Sequence, residues 1–490
     1  MSGSQTDPAF LSVSRMPRHP ARARQRAAAR RVSPPTADIR RRFLPSFPPL
    51  LALTLLVALT AGTRAHAQAF DPQVLTLDNG LQVVLVSNHR VPMVTHMVWY
   101  KVGAADEPPG KSGLAHLLEH LMFKGTETIP PGEFSRIIAR NGGRDNAFTS
   151  SDFTGYYQTI ARDRLDLVME MEADRMANLR LTEDDVLTER AVVVEERLSR
   201  TENEPAALLS ERLDQALWSV HPYKNPIIGW SHELQALTRE DALAFYRHFY
   251  APHNAVVVVV GDVTMAELRP LAERTYGQVP AAETPVERAR VRDLPPPVDV
   301  TLTMRHPQVG QASWWRRGIA PSRTVGETTL YPALQVLAEL LGGGPVSRLY
   351  ESLVVEQGVA VSAAAYYNGR AVDFGTFTLS ATPAAGVTPA QVGAAVDAEI
   401  TRLLETGVTD DEIAGAKRRL RASVVYARDN TFGTARILGA ALTTGATVED
   451  IEAWPEQIAA VTADEVMRAA RVVFGPVSTA TAILLPESRT

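Results

Sequence analysis

The 490-residue chain contains no cysteine, which excludes a disulfide framework, thiolate metal ligands and a cysteine nucleophile together. Lysine is missing from residues 1–67, where eleven arginines face only Asp7 and Asp38 as acids. A bilayer-spanning run is missing too. The richest candidate, around Leu50 to Leu59, amounts to roughly a dozen apolar residues where about 20 are needed. An excess of positive charge is likewise absent: the formal net charge is −5, and because the first 67 residues carry nine net positive charges, the remainder stands at −14. So acidic a surface argues against nucleic acid as a partner.

The N-terminal stretch nonetheless has an order. Arg40-Arg41-Arg42 leads into the Leu-rich run, and Ala65-His66-Ala67 follows as a small-residue cleavage site. Basic, apolar and small-residue segments in that order make a signal peptide rather than an anchor. The expectation is export to the periplasm or beyond, cleavage near Ala67, and no stable membrane span in the mature chain. Arg40-Arg41-Arg42-Phe43-Leu44 also superficially resembles a twin-arginine signal, an alternative to the general secretory route, and Met16 is an alternative initiator.

Beyond the leader the chain is long enough for more than one core. Residues 74–86 read as two short strands about Asn79-Gly80, Met93 to Val102 as a third, and Glu133 to Arg140 as a helix. Alternating strands run from Asp145 to Ile160, helices dominate from Asp163 to about Tyr250, and Ala255 to Gly261 is a valine-rich strand buried on both faces. Helices segregated from antiparallel strands predict an α+β fold. Pro280, Pro285 and Pro295 to Pro297 mark a linker over 281–298. After it the pattern repeats. Leu237-Thr238-Arg239-Glu240-Asp241, leading to Pro252 and the valine strand, corresponds to Val461-Thr462-Ala463-Asp464-Glu465, leading to Pro476 and an apolar strand, at an offset of 224. The repeat implies two similar domains, 68–280 and 299–490.

The chemistry concentrates in His116-Leu117-Leu118-Glu119-His120. Leu114, Leu117, Leu118, Leu121 and Met122 recur at helical spacing, so His116 and His120 share a face and can chelate one ion with Glu119 beside them. The order H-x-x-E-H is that of an inverted zinc-hydrolase motif. A catalytic zinc keeps three protein ligands and one open position, and a helix starting at Thr182 offers Glu189, Glu195 and Glu196 as candidates for the third. Two histidines and a carboxylate also suit other divalent ions.

With these residues the chain resembles the pitrilysin or insulinase family of zinc peptidases, specifically the smaller bacterial members akin to processing peptidases. The resemblance runs from Phe70 to the C-terminus. It implies two α+β halves facing a chamber, with one zinc on the first half. Glu189-Arg190-Ala191-Val192-Val193-Val194-Glu195-Glu196 matches the family segment E-R-x-V-x-x-x-E, which makes Glu196 the third ligand and gives Glu189 a supporting role behind the ligands. Glu119 becomes the general base of a metalloendopeptidase. Asn146, Ala147 and Phe148 resemble the edge strand on which extended peptide substrate is laid. Alternatively, Phe148 is an ordinary core aromatic.

One part departs from the pattern. Where active relatives carry an Arg and, seven residues on, a Tyr in the second half, this chain has Val354 and Val361. The resemblance therefore implies a homologous partner subunit that supplies the pair, with this chain as the metal-bearing half of a heterodimer. The competing readings are a scaffold subunit and a module that binds peptides without cutting them. Gly342-Gly343-Gly344 lacks the G-K-[ST] of a phosphate loop and reads as a flexible loop after a helix. Isolated His221 reads as a loop or packing histidine.

Overall fold

The computed structural model describes residues 69–487 except 282–285, 287, 289 and 293–297. The expected leader with its cleavage site, and part of the proline-rich linker, lie outside the described residues. The first half builds a six-stranded sheet from β1 (Gln73–Thr76), β2 (Gln82–Ser87), β3 (Met93–Tyr100), β4 (Arg144–Thr149), β5 (Thr154–Ala161) and β6 (Ala255–Gly261), in the order β1-β2-β6-β3-β5-β4. The second half builds a five-stranded sheet from β7 (Val300–His306), β8 (Ser313–Ala320), β9 (Ala360–Asn368), β10 (Gly375–Pro383) and β11 (Thr479–Pro486), in the order β7-β11-β8-β10-β9.

The two sheets share one plan. Each has a single parallel pair, β2 with β6 and β7 with β11, and every other pairing among the described strands is antiparallel. The repeat legible at an offset of 224 is the structural repeat. Thr238 caps the helix Arg239–Phe249 through a reciprocal box with Asp241, Thr462 does the same for Ala463–Phe474 with Glu465, and β6 and β11 come next at matching distance. The fold is α+β, as expected.

The helices that build the site and join the halves are α1 (Leu114–Leu121), α2 (Glu133–Arg140), α3 (Leu165–Asn178), α4 (Glu183–Arg197), α5 (Pro205–Leu217), α6 (Tyr331–Gly342), α7 (Pro389–Thr406), α8 (Asp410–Arg428) and α9 (Thr431–Thr443). Every residue of β6 is buried because both faces of its sheet are covered. Val257 and Val259 face the cluster that contains α1, while Val256, Val258 and Val260 face α9 of the second half. An unbroken valine run is the sequence form of such a strand. The halves exchange helices: α9 covers the first sheet, and α5 packs Leu209, Leu213 and Leu217 against Ala480, Ala482 and Leu484 of β11.

The linker is more than a spacer. Arg290 donates from Nε and Nη2 to Asp106 Oδ1 at 3.0 and 2.8 Å and reaches Asp152 through Nη1, and Arg288 adds a bond to Asp106 Oδ2 at 3.0 Å. Asp152 also accepts the Val372 N–H at 3.2 Å, so linker and both halves meet at one buried knot. His221 belongs to the same region, buried, with Nδ1 accepting the Tyr223 N–H and Nε2 at 3.3 Å from Asp373, which is a packing role. The triple glycine differs from its reading as a flexible loop. A Cβ on Gly342 would lie 1.8 Å from the Ala365 nitrogen, so the residue lets the end of α6 touch β9.

Candidate metal centre

Helix α1 is positioned at its N-terminus by buried polar groups. The Glu107 carboxylate accepts the N–H groups of Gly113 at 3.0 Å and Ala115 at 2.8 Å, satisfying donors that a helix start leaves open. Gly113 has φ +88°, and a Cβ there would meet the Ile228 carbonyl at 2.7 Å, so only glycine fits. Leu114, Leu117, Leu118 and Leu121 anchor one face in the core, which leaves His116, Glu119 and His120 aimed at α4 and β4. Helix α4 starts at a capping box between Thr182 and Asp185 and runs into a π-helical turn over Leu198–Glu202, just past Glu196.

Among the described residues, His116, His120 and Glu196 form a cluster whose ligand atoms all lie within 4.8 Å of one another. Glu196 Oε2 is 3.4 Å from His120 Nε2 and 3.9 Å from His116 Nε2. Ligand atoms on a zinc ion with bonds of about 2.0–2.1 Å stand roughly 3.3 Å apart, so Glu196 lies close to ligand spacing from both histidines. His116 is completely buried, and among the described residues neither of its nitrogens has a hydrogen-bond partner. Buried nitrogens without partners are costly unless something else engages them. A divalent ion fits that role.

The electrostatics divide the groups. Burial, followed by the neighbouring His120, pushes His116 down to about 3, which keeps it a neutral electron-pair donor. Burial acts downward on His120 as well, but hydrogen bonds to Glu189 and Glu196 outweigh it and hold this imidazole up at about 9. Glu189 Oε2 sits 3.2 Å from His120 Nδ1 and its other oxygen 2.5 Å from Lys124 Nζ, and the two cations together lower its pKa against the effect of burial. Arg200 holds the far oxygen of Glu196 at 2.5 Å. Glu119, only 2 % exposed, is raised by burial to about 7, partly offset by His120 and by a 2.6 Å bond donated from Thr149 Oγ1. A carboxyl with a pKa near neutrality suits proton transfer in both directions.

The remaining site residues fall on two sides of the sheet. β4 is an edge strand, paired only with β5 among the described strands. Asn146 lines a cavity of about 740 Å³ together with Glu119, His120, Phe123 and Glu189. Ala147 is buried in the core below α1. Phe148 lies instead against Trp99 and Phe153, with ring centroids at 4.9 and 6.2 Å, on the face covered by α9. Glu195 is exposed, one residue from the cluster but turned away from it. Sequence reasoning missed Thr149 and Glu107. The first is 30 residues from Glu119 and acts through the β4 fold; the second carries only the weak signal of an acid shortly before a helix.

Comparison with known proteins extends the picture. The profile described as insulinase (peptidase family M16) matches residues 82–230, and that of the peptidase M16 inactive domain matches 236–420. Zinc protease PqqE of Helicobacter pylori is 34 % identical over 359 residues, covering 73 % of this chain and 79 % of that protein. An uncharacterized zinc protease of Streptomyces coelicolor is 30 % identical over 408 residues, covering 82 % and 86 %. Among solved structures, a protease from Helicobacter pylori superposes with a TM-score of 0.79 at 29 % identity, over 85 % of this chain and 99 % of that one.

Proposed function

The chain belongs to the insulinase family of peptidases, family M16, and from that premise we propose that it is a zinc metalloendopeptidase acting on extended peptides. The observation carrying the proposal is the convergence of His116, His120 and Glu196 on one point with the Glu119 carboxyl beside it. These three residues would hold one zinc ion, which supplies Lewis acidity that lowers the pKa of water and polarises a carbonyl. Glu119, poised near neutrality, takes the proton of the attacking water and returns it to the leaving amine. Thr149 fixes which way that carboxyl points. Glu189 holds the His120 ring in register through Nδ1, the contact that sets a ligand imidazole's orientation.

For substrate, the reading uses the free edge of β4. A peptide adding as a further strand there would run past Asn146 toward Glu119, gaining affinity from main-chain hydrogen bonds and tolerating varied sequence. Phe148 contributes from the packed side of that strand. Residues 68–280 form the metal-bearing domain, 281–298 the linker and 299–490 the second domain, a division supported by the repeated sheet plan. Export with cleavage near Ala67 rests on the basic, apolar and small-residue order of residues 40–67. Val354 and Val361 favour a partner subunit carrying polar residues at the equivalent places.

The test is metal analysis and mass-spectrometric peptide cleavage on the purified chain and three variants, with and without a candidate partner. His116→Ala and Glu196→Gln should lose stoichiometric zinc. Glu119→Gln should keep it and stop cleavage. Loss of zinc from Glu119→Gln with full occupancy in Glu196→Gln would reverse the assigned roles.

A further inference from the structure

Arg175, near the C-terminal end of α3, is 1 % exposed. Its guanidinium makes a two-pronged contact with Glu172, 2.6 Å from Nε and 2.5 Å from Nη2, while Nη1 has no hydrogen-bond acceptor. In place of an acceptor there are rings. The guanidinium carbon lies 4.3 Å from the Phe134 centroid, 4.4 Å from Tyr156 and 5.0 Å from Phe123. An arginine–glutamate pair this deep pays heavily in lost hydration, and a well-packed apolar set of the same volume is often as stable. Stability alone is a poor reason for its presence.

One ring of the box borders the candidate centre, and the other two stand behind it. Phe123 lines the 740 Å³ cavity beside His120 and Glu119. Phe134 sits on α2, whose next residues, Ser135 and Arg136, line the same cavity. The Phe134 and Tyr156 ring centroids lie 6.1 and 6.2 Å from that of Phe123, and the Tyr156 hydroxyl pairs with Tyr250 at 2.9 Å. A planar cation can stack on several aromatic faces at once, which a lysine ammonium on its flexible stem cannot reproduce.

We propose that Arg175 is a positioning residue: by boxing Phe123 against Phe134 and Tyr156 it fixes the Phe123 ring in the wall of the cavity and so sets which substrate side chain is accepted beside the scissile bond. The inference rests on the proposed peptidase activity. Because Arg175 touches no reacting atom, its loss should alter discrimination rather than metal binding.

Two variants test it. Arg175→Lys keeps a charge without the plane. Glu172→Gln with Arg175→Met removes both charges, so that neither is left buried alone. The first readout is the fluorine NMR line of 4-fluorophenylalanine placed at position 123, which is independent of turnover. It should be single in the parent and broadened or split in both variants. The second is competitive cleavage of a peptide series differing only at the residue next to the cut bond. The ratio of kcat/KM between the largest and the smallest side chain should change by about tenfold or more, with zinc stoichiometry unchanged. A lower Tm with an unaltered fluorine line and equal slowing on every peptide would show Arg175 to be structural only and overturn the proposal. Should the parent cleave none of the series even with a partner subunit bearing the Arg and Tyr, the peptidase reading fails, and the fluorine line alone decides whether Arg175 fixes Phe123.

Discussion

At the scale of single residues, Glu189 separates a role behind the ligands from mere surface charge. It is half-buried, bonded to His120 Nδ1 at 3.2 Å and to Lys124 at 2.5 Å. Replacing it with Gln removes the charge that steadies the ring but leaves both nitrogens of the imidazole in place. Zinc affinity should fall by about 10–100-fold, the usual cost of losing such a partner, as measured by competition with a chelator. Glu195→Gln, one position from Glu196 but exposed, should leave affinity unchanged; equal affinities for both variants would remove Glu189 from the site. The cluster is legible in the sequence because helical periodicity is local. Two histidines four apart declare their shared face without knowledge of the fold, whereas the choice of Glu196 among Glu189, Glu195 and Glu196 comes from the family resemblance. Thr149 and Arg175 are not legible there, since each acts through a neighbour that only strand pairing or helix packing brings near.

At the scale of elements, the burial of β6 shows where local pattern stops. Its valine run announces a strand covered on both faces, but nothing in those seven residues says that the second cover is α9, more than 170 positions later. The close approach depends on Gly439. A Cβ built there would stand 2.0 Å from the Trp99 ring, which is itself fully buried. Gly439→Val therefore forces α9 off the first sheet or Trp99 out of its place. Overpacking of this kind costs about 1–3 kcal/mol or more, and the lower helix propensity of glycine returns only a part of that. Thermal unfolding should show a clear loss of Tm. Gly433→Ala, in the same helix with its nearest outside atom at 3.6 Å, should be neutral or slightly stabilising. A Gly439→Val protein as stable as the parent would mean that α9 does not pack so closely. The triple glycine teaches the same lesson: Gly342 reads as looseness in the sequence and acts as a contact point in the fold.

At the scale of the molecule, duplication has produced two sheets of one plan and, among the described residues, only one cluster that could hold a metal ion. Edge strand β9 stands in the second sheet where β4 stands in the first, and Val361 lies on it, 52 % exposed. Val354 is half-buried against the second core. Neither side chain can donate a hydrogen bond to a substrate carbonyl or to a developing oxyanion. Arg348 does not fill the gap, because its Nη2 is committed to Glu412 and to the Gly407 carbonyl, each at 2.8 Å. The expectation is that the purified chain hydrolyses peptides weakly, and that a homologous partner bearing Arg and Tyr raises the rate at least about a hundredfold, the scale on which one such donor counts. Val354→Arg with Val361→Tyr should restore part of that rate without a partner. Since Val354 touches the core, circular dichroism must first show the double variant folded. High activity of the unmodified chain, unchanged by the partner, would mean that donors elsewhere in the chain complete the site, and the divided-site reading would fall while the metal centre stood.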